Sequence, residues 1–315
     1  MLDVRRLRLL RDLAHLGTIA AVAQAHAYTP SAVSQQLAAL QREAGVPLLE
    51  HTGRRVALTP AGTELVRHTE TILATLETAA ATLSAARAGV SGTVRIGAFP
   101  TAVRTLLPAA LVALARDHPA LDLMVSELDP VEMPDALRDG RLDVALVHDY
   151  DIAPVAPDPG LDSVPLLDET VFLAVPTSFE TGPTPVADAR EAAWVAGTPG
   201  TLCHTVATRV CEAHGFTPRV RHHVDDFTAV LALVAAGQGV ALVPELGAAQ
   251  PCAGVRLVPL EVCRRTAVAY RRGGGGHPAI AACVAALVAS QDALPSPGAL
   301  PSPGALPSPD GLPER

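Results

Sequence analysis

The sequence predicts an α/β chain with a small helical head, a long linking helix and a larger body of alternating strands and helices. Three observations carry this reading. Apolar residues in the first 90 positions recur at three- and four-residue steps, the period of a helix. Between Leu65 and Ala86 that period is sustained as a heptad. From Thr93 onward, short apolar and β-branched runs alternate with helical stretches, the pattern of parallel, doubly wound sheets.

In the head, Leu7, Leu10, Leu13 and Leu16 mark one helix face, and Gly17 stops that helix. Thr18 caps a second helix. After the turn Ala27-Tyr28, Thr29 caps a third, with Pro30 at its first position, where a missing N–H costs nothing. Val33, Leu37 and Leu40 face inward, and Gly45 ends the helix. Two short strands come next around Gly53-Arg54-Arg55, forming a wing. Thr59-Pro60 opens the long helix, whose seam is Leu65, Thr69, Ile72, Leu76, Ala79, Leu83 and Ala86. In the body, strands are expected at 94–98, 121–127, 143–147, 164–175, 194–196, 218–224, 240–243, 255–259 and 266–270. Helices are expected at 103–116, 132–139, 201–214, 226–237 and 277–290. The repeat Ala-Leu-Pro-Ser-Pro-Gly, starting at 293 and again at 299, reads as polyproline-like disordered chain.

Composition removes several classes of function. All 24 basic residues are Arg and none is Lys. A Walker-A loop, a pyridoxal phosphate Schiff base and a protein-kinase ATP site each need Lys, so all three are excluded. The run Gly273–Gly276 is therefore not a phosphate-binding loop. With 49% apolar but only 3% aromatic residues, the core must be aliphatic. No apolar run reaches the ~18 residues of a membrane span. The opening Met1-Leu2-Asp3-Val4-Arg5-Arg6 lacks the apolar region of a secretory signal, so the expected location is the cytoplasm. Five Cys residues without a C-x-x-C pair read as reduced, mostly buried thiols, with a Cys203–Cys211 redox pair as the alternative.

Charge is uneven. Residues 1–60 hold seven Arg against four acids, a net of +3 in a chain of net −8. A basic head on an acidic body suits an anionic partner such as duplex DNA. Two short helices joined by a tight turn fit that partner. Small residues at the start of the second let it enter a major groove, and Gln bonds adenine edges bidentately. The candidate DNA-contacting residues are Thr18, Thr29, Pro30, Ser31, Ala32, Ser34 and Gln35, with Arg54 and Arg55 on the wing. The same helices also fit an ordinary protein surface.

The stretch immediately after these helices is more specific. Leu48-Leu49, Arg54-Arg55-Val56, Leu58-Thr59 and Ala61-Gly62 resemble the wing and linker signature of the LysR-type transcriptional regulators. Gly140-Arg141-Leu142-Asp143-Val144-Ala145-Leu146 and the stretch Val234 to Pro244 are similar to two further signatures of that family. The resemblance spans about 1–290. It departs at Pro30, where the family often has Gln, and at Gln41, Leu49 and His51, where Glu, Phe and Arg are usual.

The resemblance implies a winged helix-turn-helix over 1–59, a linker and dimerisation helix over 60–91, and an effector-binding domain over 92–290 like periplasmic binding proteins. Lobe I would comprise 92–160 and 267–290 and lobe II 161–266, with crossings near 160 and 266; residues 291–315 form the tail. It also implies a homodimer through the 60–88 helices, paired into a tetramer, and an effector in place of any cofactor. The pocket is expected at the carboxyl ends of strands. There lie Phe99, Pro100, Thr101, Ala102, Val147, His148, Gly197, Thr198, Asp226 and Phe227. A small organic anion held partly by Thr101 is the expected effector. No metal site is expected, because the adjacent His222 and His223 of a strand point to opposite faces. The rival reading is a two-lobed binding protein or enzyme with no DNA-binding role.

Overall fold

The structure, a computed structural model, describes residues 1–52, 55–86, 89–250 and 252–291. Arg54 and the repeat-bearing tail from 292 lie outside the described residues.

The head is built by caps and an aliphatic core. Asp3 accepts from the Arg5 backbone N at 2.7 Å and starts α1 (Val4–Leu16), which Gly17 ends at φ 74°. Thr18 starts α2 (Ile19–Ala25), accepting from Ala21 N at 3.1 Å. Thr29 does the same for α3 (Pro30–Ala44), accepting from Ala32 N at 3.2 Å, and Gly45 closes it at φ 71°. Leu7, Leu10, Val22, Val33, Leu37 and Leu40 are buried between the three helices. The antiparallel wing pairs β1 (Leu49–Thr52) with β2 (Arg55–Leu58). The side-chain oxygen of Gln41 accepts from the backbone N of Leu48 and Leu49, pinning the entry to the wing.

The long helix α4 (Pro60–Ala85) does not present its heptad as one free face. Leu65 packs against the head core and Thr69 is fully buried, while Leu76 and Leu83 are 44% and 71% exposed. A straight helix drifts about 20° per heptad, so one stripe cannot stay on one neighbour. The face carrying Leu73 and Ala81 is buried instead. It meets α1 and the turn at Gly274–Gly276 of the body.

The body begins with β3 (Gly92–Ala98), α5 (Pro100–Thr105), α6 (Leu107–Asp117), β4 (Leu121–Glu127), α7 (Met133–Arg138) and β5 (Val144–Tyr150). The one helix expected over 103–116 is two. Pro108 has no N–H to give and crowds the preceding turn, which confines it to the first turn of a new helix. Next come β6 (Leu161–Pro176), α8 (Pro185–Asp188), β7 (Ala193–Ala196), α9 (Leu202–Ala213), β8 (Arg219–His223), α10 (Phe227–Ala235), β9 (Ala241–Pro244), β10 (Val255–Arg271) and α11 (Pro278–Ser290).

The six-stranded sheet has the order β4-β3-β5-β10-β6-β9. Where strands and helices alternate, β4, β3 and β5 are parallel, as the alternation predicts. The sheet is nevertheless mixed, because β10 runs antiparallel to both β5 and β6, and β9 antiparallel to β6. The two strands expected at 255–259 and 266–270 are one, β10, with register shifts between Pro259 and Cys263 and between Thr266 and Ala267. These long neighbours β6 and β10 pass through both lobes. Leu161, Leu166 and Leu167 pack in the first-lobe core, and Val171, Leu173 and Val175 in the second. Within β6 the packing passes from the first core to the second between Leu167 and Val171. Among the described residues no helix is long and apolar enough to cross a membrane.

Candidate DNA interface and effector cleft

On α3, Thr29, Pro30, Ser31, Ser34 and Gln35 are exposed and Ala32 is half-buried. The apolar positions Val33, Leu37 and Leu40 turn the opposite way into the core, which leaves this stripe outside. Several of its hydroxyls are occupied. Thr18 and Thr29 serve as caps, and Ser34 donates back to the Pro30 carbonyl at 2.9 Å. Gln36 accepts from Arg6 Nε at 2.9 Å, whereas Gln35 has no hydrogen-bond partner among the described residues. Arg55 enters the wing ladder opposite Thr52.

In the body, polar groups gather where β6 and β10 pass between the lobes. Arg264 of β10 is 1% exposed and Glu169 of β6 is 3% exposed. The guanidinium donates to the Glu169 carboxylate from Nε at 2.7 Å and from Nη2 at 2.8 Å. Glu169 also accepts from Leu246 N at 2.9 Å and from the Thr266 hydroxyl at 3.4 Å. So many donors around one buried carboxylate are what makes a buried ion pair tolerable. Burial disfavours the guanidinium charge, but Glu169 beside it holds the Arg264 pKa above its ordinary value.

Three of the expected effector residues meet this pair. The Thr101 hydroxyl lies 3.5 Å from Arg264 Nη2. The Phe99 ring sits 5.0 Å from the guanidinium carbon and packs edge-on to His148 with centroids 4.7 Å apart. His148 packs in turn on Tyr150, whose hydroxyl lies 3.9 Å from Cys203 Sγ. His148 Nδ1 is buried without a hydrogen-bond partner among the described residues. Burial, and then the Arg264 charge, push its pKa well below the ordinary imidazole value.

Other expected residues are placed elsewhere. Val147 packs into the first-lobe core, because neighbours on a strand face opposite ways. Ala102 is fully buried in that core. Pro100 starts α5 and is half-buried. Thr198 is tied to Asp225 through its backbone N at 2.8 Å and its hydroxyl at 2.6 Å. The Gly197 carbonyl lies 3.0 Å from His204 Nδ1 and 3.2 Å from His223 Nδ1. Asp226 caps α10 and faces Arg104 at 3.8 Å across the mouth of the cleft, and Phe227 packs under α10. Gly197 and Phe227 share with Cys203 and Asp225 a void of about 20 Å³, room for about one water.

Sequence reasoning missed Arg264, Glu169, Thr266, Tyr150 and Cys203. No local signal singles them out: Glu169 stands beside Asp168 and Thr170, and Arg264 beside Arg265 and Thr266, in strands that carry other charged residues. Cys203 and Cys211 both lie on α9, eight residues apart, which is ~12 Å along a helix against the ~7 Å limit for a disulfide. Burial pushes the Cys211 thiol up to about 12.

Comparison with known proteins accords with this architecture. A family model described as the LysR substrate binding domain matches residues 87–292, and one described as a bacterial regulatory helix-turn-helix protein of the lysR family matches 4–63. The chain is 28% identical to the transcriptional dual regulator GltC of Bacillus subtilis over 78% of this chain and 81% of that protein. It is 38% identical to a probable hydrogen peroxide-inducible genes activator of Mycobacterium xenopi, over 51% of this chain and 82% of that protein. The solved LysR family regulator CbnR superposes with a TM-score of 0.50 at 25% identity, covering 91% of this chain and all of that one. Full-length BenM gives 0.54 at 22% identity, covering 94% of this chain and 100% of that one. With both family models matched in order, the chain belongs to the LysR family: it is a DNA-binding transcriptional regulator with an effector-binding domain.

Proposed function

We propose that this regulator reads duplex DNA with the outer stripe of α3 and the Arg54-Arg55 wing, and that a small organic anion bound between the lobes sets its activity. The observation that carries the effector class is Arg264, a fully buried guanidinium at the lobe crossing. Glu169 takes its Nε and Nη2, and among the described residues Nη1 donates to no protein group. Thr101 adds a hydroxyl beside it. The closed cleft is filled by Phe99, His148 and Tyr150, so binding requires the lobes to part, and Arg104 facing Asp226 spans the seam that must open. Such a motion changes how the heads are held, which is how an effector becomes a signal.

The exposed apolar stripe Ile72, Leu76 and Leu83 supports a homodimer through α4, with tetramers by pairing of effector domains. Leu76→Asp should dissociate dimers in sedimentation, because a charge there is costly to desolvate. Action on the cell's own DNA supports a cytoplasmic location. Peroxide sensing, the property in the name of the mycobacterial relative, finds no support in a Cys203–Cys211 pair separated by two turns of one helix.

The decisive experiment is a thermal-shift panel of carboxylates, phosphates, sugars and amines, with a mobility shift on the DNA upstream of the gene. Carboxylates should stabilise the wild type and change its retardation of that DNA. Thr101→Val should weaken the response. Stabilisation by neutral or cationic compounds alone would overturn the anion, and failure to retard the upstream DNA would overturn the proposed regulation at that site.

A further inference from the structure

A cavity lies well away from the effector cleft. It lies at the joint between the DNA-binding head and the effector domain, and has a volume of about 210 Å³. One wall is α1 and α4. The other is the end of α7 with the chain that leaves β10.

This joint is built, not incidental. Gly273 comes after β10 at φ 84°, and a Cβ there would collide with the Ala74 carbonyl of α4. Only glycine lets the two backbones approach so closely. The Gly273 carbonyl accepts from the Thr78 hydroxyl at 3.4 Å. A Cβ at Gly160 would lie 2.9 Å from Glu70 Oε2. Arg271 donates to Glu77 of α4 at 3.1 Å and to the Leu142 carbonyl at 2.8 Å. The Gly273–Gly276 run, which chemistry excludes as a nucleotide loop, is thus the seat of the linker helix.

Five guanidinium groups and three carboxylates line the cavity. Three of the five are committed. Arg11 pairs with Asp12 at 2.7 Å, Arg138 with Asp135 and Asp158, and Arg271 with Glu77 and Asp143. The carboxylates are engaged as well: Glu70 with His15 at 3.3 Å, Glu77 with Arg271, and Asp139 with Arg141 at 3.7 Å. Arg8 of the head and Arg272 of the effector domain remain, and neither has a carboxylate partner among the described residues. Among the described residues the Arg272 side chain donates only to the Pro159 carbonyl, at 3.3 Å.

We propose that this cavity is a binding site for a small, multiply charged oxyanion, with Arg8 and Arg272 as its two clamps. A phosphate group has the right chemistry. Its oxygens accept from guanidinium N–H donors on both sides, and charge-assisted bonds of this kind are the strong ones. Because one clamp belongs to each domain, an occupied cavity would hold the head on the effector domain and an empty one would leave it freer. The site is separate from the cleft at Arg264 and does not depend on the effector read there.

The test is calorimetric titration of the full-length protein with inorganic phosphate, and in parallel with pyrophosphate, at constant ionic strength set with chloride. Arg8 and Arg272 are both exposed, so Arg8→Gln and Arg272→Gln should fold normally, as the melting temperature will verify. Saturable phosphate binding is expected, weakened at least tenfold by either substitution. Arg116→Gln, exposed on α6 and outside the cavity lining, should leave it unchanged. Hydrogen exchange in residues 69–81 should slow when phosphate is added to the wild type and not in the variants. No saturable binding in the millimolar range would overturn the proposal. So would loss in Arg8→Gln with none in Arg272→Gln, since the anion would then sit on the head alone.

Discussion

The recognition stripe of α3 and the cleft at Arg264 place polar groups in opposite ways. On α3 the polar side chains stand on the outside of a helix whose core is entirely aliphatic, and Gln35 is uncommitted. In the cleft the polar groups lie inside, and Glu169 is satisfied by Arg264, Thr266 and Leu246 N. The first surface is ready as it stands. The second must be opened before it can act. A DNA reader gains from rigidity, because its donors must already fit the groove. An effector site gains from two arrangements of similar energy, because a ligand shifts only an equilibrium that exists.

Removing one member of the buried pair should separate the two regions most sharply. Glu169→Ala leaves the Arg264 guanidinium uncompensated, and breaking such a pair costs about 3–5 kcal/mol. Thermal unfolding of the full chain should show a large drop. Glu169→Gln should lose less, because the amide oxygen still accepts. If Glu169→Ala melted with the wild type, the ion pair would not be holding the lobe crossing.

On the head, an equally polar substitution should leave the fold intact and change recognition alone. Gln35→Ala should cost roughly 1–3 kcal/mol of discrimination between operator and mismatched sites. Its stability should stay within about 0.5 kcal/mol of the wild type, as for other surface positions. Competition binding with single-base operator variants measures the first and denaturant unfolding the second. Unchanged discrimination would remove Gln35 from the interface.

The same contrast governs what could be seen in the sequence. The caps at Thr18, Thr29 and Thr59, the stops at Gly17 and Gly45, and the strand–helix alternation are local, so residue spacing reveals them. Thr101 and His148 were legible because they lie by the carboxyl ends of strands β3 and β5. Arg264 and Glu169 are 95 residues apart, and nothing in either segment names the other. The passage between cores within β6 was hidden for a related reason. The strand continues unbroken through both lobes, so no break in pattern marks where one core ends and the next begins. The α4 seam was legible only in part, because a heptad shows which residues share a stripe and not what covers it. Here the head takes Leu65 and Thr69 and leaves Leu76 and Leu83 outside.

The smallest expected effect concerns pH. An imidazole in the unfolded chain titrates near pH 6.5. In the cleft, burial and then Arg264 depress the His148 value well below that. The folded state therefore accepts the neutral ring and resists the charged one. Stability from this difference is fully present above about pH 6.5 and is lost as pH falls toward the depressed folded value. His148→Gln, which cannot titrate, should lose less stability than the wild type between about pH 7 and pH 5. Denaturant unfolding at both pH values measures the two slopes. Equal slopes in wild type and His148→Gln would mean that His148 takes up a proton in the folded cleft as readily as in water.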